Sequence, residues 1–392
     1  MKSILLAALV LAIGVVVFGA RERTAHAYPQ FQLSRDQACT NCHISPAGGG
    51  LLNENGLNVA EGISQWGTKP EFMYKRLTPP SWLILGGDLR ALTGYFQTPF
   101  RSLAGFPMQG EVYANAVFGS GLSLHITGGI RPPEKGNEVA TVVWSREHYV
   151  MWQQHPDEPS GFYGRAGHFQ PVFGLRLAEH EDFTRRFGGT ALDTEPYGAS
   201  ASLVDQAYEV HVTGFIRDRL IDAASVDSGG AFYAEARPTT VVSFGVEGMV
   251  TASKDDYKQR GGLTNKVMLP GDVLLETELI GTRQDIRYPR TDAMGVSHQA
   301  SEIVHQLTGY ALGSKFLNDW LLLDVGLGYY NENVRYRGLD REAFDVNLHW
   351  FSTSHLELVL NTRLELIDFH QAVNGKTSPV GAYAALQIHY RL

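Results

Sequence analysis

From Ala382 to Leu392 the even positions carry Ala, Ala, Leu, Ile, Tyr and Leu, whereas positions 387, 389 and 391 carry Gln, His and Arg. A β-strand turns successive side chains to opposite faces, so this segment has one apolar and one polar face. Residues 355–367 repeat the pattern: Leu356, Leu358, Leu360, Leu364 and Leu366 alternate with Glu357, Asn361, Arg363 and Glu365. From Trp82 onward the chain divides into segments of about ten residues with this dyad period, as transmembrane β-strands do. After the first twenty residues no apolar run approaches the roughly 20 residues a membrane helix needs, so helical spanning is excluded. A soluble sandwich also alternates, and a second criterion is needed to separate the two.

Connection lengths supply it. The pattern predicts strands running one way over 82–96, 121–131, 160–170, 207–217, 240–252, 272–284, 319–331 and 355–367. Their partners run back over 108–118, 141–153, 196–203, 231–237, 261–268, 301–313, 342–352 and 381–392. That makes sixteen strands, or fourteen if the faint segments 196–203 and 261–268 drop out. The turns on one side are short, for example Gly119-Ser120, Gln154–Pro159 and Thr353-Ser354; most connections on the other are longer, and Pro171–Glu195 is the longest. Outer-membrane barrels of bacteria have short periplasmic turns and long external loops in this alternation. The expected fold class is therefore all-β: a transmembrane antiparallel β-barrel over residues 81–392, wide enough for an aqueous channel. Both barrel termini are expected on the periplasmic side of the outer membrane. The polar parity, with Asp88, His125, Arg165, Glu209, His211, His349 and His389, should face the lumen.

Ahead of the barrel, Lys2 precedes the apolar run from Ile4 to Ala20, and Ala25-His26-Ala27 follows. Residues 1–27 read as a signal peptide cleaved before Tyr28, with an uncleaved membrane anchor as the alternative. With 33 Lys+Arg against 41 Asp+Glu and no basic block, the chain is not a nucleic-acid binder.

The one strong chemical motif is Cys39-Thr40-Asn41-Cys42-His43, which uses both cysteines of the chain. At C-x-x-C-H spacing two thiols can add to the vinyl groups of one haem while the next imidazole reaches its iron. One haem c is expected, attached through Cys39 and Cys42 with His43 as proximal ligand. A disulfide, usual for exported thiols, leaves His43 unexplained. Zinc requires four ligands where the surrounding segment offers three at most. The second ring nitrogen of His43 should donate to a backbone carbonyl, with Pro46 as a candidate. Met73 is the only Met between residues 28 and 80, where the only His is His43, so a His/Met iron built from this segment would use Met73. A wall histidine such as His125, His211, His349 or His389, or an open position, are the alternatives. Residues 28–80 are few for a core of their own, and Gly48-Gly49-Gly50, Pro70 and Pro79-Pro80 break the backbone. The segment should lean on haem and on another surface, either entering the channel or sitting at its mouth.

The chain resembles the fused monohaem cytochrome–porins of the bacterial outer membrane, a group that includes iron-oxidising outer-membrane cytochromes. The resemblance rests on Pro29-Gln30-Phe31, the Cys39–His43 motif, Pro46, Leu51 and Gly56, followed by a barrel of porin length. It covers the whole chain in architecture and is specific over residues 28–60. It implies a haem in or at the pore, held by Cys39, Cys42 and His43. It further implies electron transfer between an extracellular partner or metal ion, such as Fe²⁺, and a periplasmic carrier such as a soluble cytochrome. The chain departs from the family in the glycine run 48–50 and in ending on Leu392 where many outer-membrane barrels end on an aromatic residue. Carboxylates at Glu179, Glu181 and Asp182 are either cation ligands or solvated loop charges. Two rival functions remain: a diffusion porin whose haem segment is a plug or sensor, and a peroxidase-like enzyme with an open iron position. An electron carrier is expected ahead of a substrate-turnover enzyme.

Overall fold

The computed structural model describes residues 38–97, 101–130, 143–177, 181–191, 194–216, 228–291, 297–336, 338–367 and 380–392. The expected signal peptide lies outside the described residues, as do Pro29-Gln30-Phe31 and Glu179.

Alternation along the chain becomes one closed antiparallel sheet. Strand β1 (Leu83–Gln97) pairs with its neighbour β2 (Arg101–Val117) on one side and with the last strand, β16 (Val380–Arg391), on the other. The short stretch Val143–Trp144 and the strand His148–Gln153 both pair with β3 (Leu122–Ile130), forming one interrupted strand, β4, so the barrel has sixteen strands. All sixteen expected strands are present, including the two faint ones, which become β6 (Tyr197–Val204) and β10 (Asp256–Leu269). The strand expected at 301–313 is longer than the pattern suggested: β12 runs Ser297–Asn318 and pairs with β11 (Val273–Thr291) along its length. Its polar ends continue the ladder past the apolar belt, where lipid alternation no longer marks them. Opposite Pro107, which has no N–H to give, the ladder shifts register between Arg90 and Ala91.

Exposure is inverted relative to a soluble protein. Leu360, Leu386 and Ile388 are 47%, 42% and 44% exposed, while Arg363 and His389 on the same strands are 5% and 4% exposed. The apolar outer face is the lipid-contacting belt. The turns of the other end are short, from two residues at 354–355 to seven at 154–160. The start of β1 and the end of β16 share that end with the short turns.

The connection after β5 (Gly161–His168) corrects the expectation of an external loop with solvated charges. The described residues 169–177, 181–191 and 194–196 fold inward. Phe169, Val172, Phe173, Leu175, Leu177 and Phe183 are buried, and so are Asp182 and Glu195. The short helix α2 (Phe183–Gly188) reaches β11, β12 and β13 (Leu321–Asn331) on the far wall. There Phe187 stacks on Tyr330 with ring centroids 3.9 Å apart. The physical reason lies in the wall itself. Met249, Ile280, Tyr310, Leu312 and Tyr330 interrupt the polar lumen parity and make an apolar recess that the loop's Phe and Leu side chains fill.

Candidate haem-attachment site inside the lumen

The C-x-x-C-H motif begins a tight turn. Cys39–Asn41 is a 3₁₀ turn in which the amides of Cys42 and His43 both donate to the Cys39 carbonyl, at 3.1 and 2.8 Å. After His43 the chain folds back on itself: His43 bridges Leu52, and the Ile44 amide donates to the Leu51 carbonyl at 3.1 Å. Gly48, Gly49 and Gly50 turn this hairpin with φ of 79°, 71° and 59°, a left-handed run that favours glycine. The glycine run that departs from the family pattern is thus a compact turn closing beneath the motif.

Helix α1 (Glu54–Gly62) locks the motif from the other side. Asn53 caps it, accepting from the Gly56 amide at 3.0 Å, and its Nδ2 donates to the Thr40 carbonyl at 2.8 Å. Asn55 Nδ2 donates to the Asn41 carbonyl at 3.0 Å. A Cβ at Gly56 would lie 2.2 Å from the Cys42 carbonyl oxygen, so only glycine lets the helix approach this closely.

This unit has no core of its own. It sits inside the short-turn end of the barrel. Ala38 and Ile44 join the wall residues Tyr149, Met151, Tyr163 and Val204 and the loop residue Phe169 in one apolar cluster. Leu51 reaches Gly86 on β1, where a Cβ would come within 2.7 Å of it. Ser45 accepts from Arg165 at 3.1 Å, and the Pro46 carbonyl accepts from Arg176 of the inserted loop at 3.3 Å. The segment leaves over the rim at β14 (Asp340–Thr353), where the Gln65 and Trp66 amides donate to the carbonyls of Phe351 and Ser352. At the rim, Trp66 meets Trp350 edge-on at 6.0 Å and Tyr74 lies tilted against His355 at 4.2 Å.

Two belts of charge flank the motif. On one wall Glu209 takes Arg176 at 2.5 Å and Arg237 at 2.7 Å, and Glu235 takes Arg237 at 2.8 Å and Lys266 at 2.7 Å. On the wall leading to the β1–β16 seam, His349 lies between Asp324 and Glu357 at 3.2 and 2.8 Å, and across the seam His389 lies between Glu357 and Asp88 at 3.0 and 2.6 Å. Both ring nitrogens of His389 are hydrogen-bonded to carboxylates, whereas the Nε2 of His349 lies near Asp324 without a hydrogen bond. His125 stacks on Tyr149 at 4.8 Å, and His211 is held by Ser202 at 2.8 Å.

The thiols of Cys39 and Cys42 are not bonded to each other. Burial pushes the Cys39 thiol up, with the Arg176 guanidinium opposing. Burial also pushes the His43 imidazole down to about 4, with the Gly49 carbonyl opposing, so the ring is neutral at physiological pH and has a lone pair to offer a metal. Its Nδ1 is buried without a hydrogen-bond partner. The expected acceptor, the Pro46 carbonyl, receives Arg176 instead. Two unjoined thiols on one turn and a neutral, under-satisfied imidazole fit a covalently held haem. Among the described residues no group of three or more His, Cys, Asp or Glu is arranged to hold a metal ion, which leaves zinc without a ligand set. Met73 is 43% exposed on a left-handed turn at the rim, while His43 is held inside. Arg165, Arg176, Ser45 and Tyr149 belong to the motif's surroundings; the alternation put Arg165 in the lumen, yet nothing in it singled out these contacts.

No protein-family model matches the chain, and no curated protein matches it. Solved structures do. OmpT of Vibrio cholerae superposes with a TM-score of 0.57 at 10% identity, over 81% of this chain and 100% of its own. OmpF of Salmonella typhi gives 0.59 at 8% identity, over 79% and 97%. The anion-selective porin of Comamonas acidovorans gives 0.55 at 11% identity, over 79% and 99%. The fold is that of the outer-membrane porins.

Proposed function

We propose that this barrel is an outer-membrane electron carrier that holds one c-type haem within its short-turn, periplasmic mouth. The haem supplies a one-electron couple whose potential answers to axial ligation, burial and nearby charge. Cys39 and Cys42 would hold it by adding S–H across its vinyl groups, sulfur bonding one carbon and hydrogen the other, with no net redox change. His43 presents a neutral imidazole. Arg176 and the inserted loop close the space above the motif, and the charge belts of Glu209 and Glu357 flank it.

One observation carries this reading: the C-x-x-C-H turn is seated inside the barrel, hydrogen-bonded to both wall and loop, with its thiols unjoined. A carrier at that level does not cross a hydrocarbon layer about 30 Å thick unaided. The proposal therefore includes a periplasmic carrier at the near mouth and an extracellular donor, acceptor or metal ion entering from the loop end. Haem staining of the heat-modified protein from outer-membrane fractions tests attachment and barrel together. Haem-loaded protein in liposomes should then let an external donor reduce a trapped acceptor; a coloured, correctly inserted barrel that fails to do so rejects the proposal.

A second reading, a diffusion porin plugged by this segment, draws on the likeness to channels such as the anion-selective porin of Comamonas acidovorans. It predicts solute-size-dependent leakage that ignores the redox state of the protein.

A further inference from the structure

Arg165 is 2% exposed on the wall strand β5, yet no carboxylate pairs with it among the described residues. The other buried wall arginines do have such partners: Arg237 has Glu209 and Glu235, and Arg363 has Asp345. Arg165 has the hydroxyls of Ser45 and Ser200, at 3.1 and 3.3 Å, the ring faces of Phe169 and Tyr149, at 4.2 and 5.4 Å, and at longer range the charge of Glu147. The nearby carboxylate of Glu147 accepts the Gln170 amide instead. A buried cation with no carboxylate in contact is expensive, and hydroxyls, ring faces and a more distant charge offset only part of that cost.

Three polar atoms around it are buried and unpartnered: Nη2 of Arg165 itself, the Tyr149 hydroxyl and Nδ1 of His125. His125 stacks on Tyr149, and Ser45, the residue that receives Arg165, is two positions beyond His43. A guanidinium and a phenol, both with unused N–H or O–H, converge beside the haem motif. That set matches a carboxylate, which accepts from a guanidinium fork and a hydroxyl together.

We infer that Arg165 and Tyr149 form a carboxylate-binding subsite that takes a propionate of the attached haem. The inference rests on the covalent haem proposed above. Arg165 then sets the reduction potential as a positioning residue, because it neutralises a negative charge next to the iron.

The test uses full-length haem-loaded barrels of wild type, Arg165→Gln, Arg165→Lys and Tyr149→Phe. Arg165→Gln should lower the midpoint potential by about tenfold in the reduction equilibrium, which is 59 mV for one electron. Arg165→Lys should recover part of the loss. Tyr149→Phe, a small change that keeps the ring, should move the potential in the same direction if Arg165→Gln fails to fold. A second readout is thermal stability with and without haem. In the haem-free Cys39→Ser/Cys42→Ser chain, Arg165→Gln should raise the unfolding midpoint by removing an orphan charge; in the loaded chain it should lower it. Unchanged potentials in coloured variants overturn the inference. So does stabilisation of the haem-free chain by added acetate or phosphate through Arg165 with no potential shift in the loaded one, which assigns the pocket to a free anion. A colourless wild type defeats the haem proposal itself and is told apart by that alone.

Discussion

Arg176 donates to the Pro46 carbonyl at 3.3 Å, and so joins a loop that enters the barrel from one end to a segment that fills it from the other. Its second nitrogen holds Glu209, which is buried and also bound by Arg237. The two insertions therefore share one side chain.

Replacing Arg176 with Ala should loosen both. Arg237 still compensates Glu209, so the loss is expected near about 1–3 kcal/mol, below the cost of fully orphaning a buried charge. A lower heat-modification midpoint on gels, together with higher single-channel conductance in planar bilayers, is the expected outcome. Unchanged conductance would show that the loop holds its place without this contact.

Gly56→Ala probes how the helix is set against the motif. Its Cβ would press on the Cys42 carbonyl at 2.2 Å, and overpacking of this kind costs about 1–3 kcal/mol. The expected result is a lower unfolding midpoint at unchanged covalent haem per chain, read by heat modification on gels with haem stain against protein stain.

Much of this architecture was legible in advance, and the reasons are specific. Leu356, Leu358 and Leu360 mark a lipid face because hydrocarbon tolerates little else there, so strands could be counted by parity. The signal was weak at 196–203, where Gly198, Ala199, Ser200, Ala201 and Ser202 carry small side chains that report a face poorly. The inward course of residues 169–196 was hidden for a different reason. Its Phe and Leu side chains need burial, but the recess that provides it is spread over Met249, Ile280, Tyr310 and Tyr330 on four different strands. Similarly, C-x-x-C-H marks a site by itself, whereas Arg165 becomes notable only once its surroundings lack an acid.

Met73→Ala should leave the absorption and electron paramagnetic resonance spectra of the haem unchanged. The side chain is 43% exposed at the rim, beside Tyr74, which lies tilted against His355. A change from low-spin to high-spin signal in that variant would place Met73 on the iron and require the rim strap to swing inward.

His389→Leu removes the imidazole on β16 that separates Asp88 on β1 from Glu357 on the strand Leu356–Ile367, the two neighbours of β16 where the barrel closes. Two buried carboxylates would lose a partner, although Arg391 still holds Glu357 at 2.7 Å. A loss of about 3 kcal/mol is expected. Denaturant titration in detergent micelles should show it, and a Glu357→Gln second substitution should recover part of it. Equal stability of single mutant and wild type would remove the clamp role of this seam.

The strap from Gln65 to Trp66, bonded over the rim to Phe351 and Ser352, also has a bearing on biogenesis. Strand β14 is among the last to be synthesised, and the strap can dock only after it is in place. Until then nothing holds the segment at the rim; once docked, the half-buried Cys39 and Cys42 lie among wall, loop and strap. On the haem reading proposed above, loading and closure would then have an obligatory sequence, the prosthetic group joining the precursor before the cylinder is completed around it.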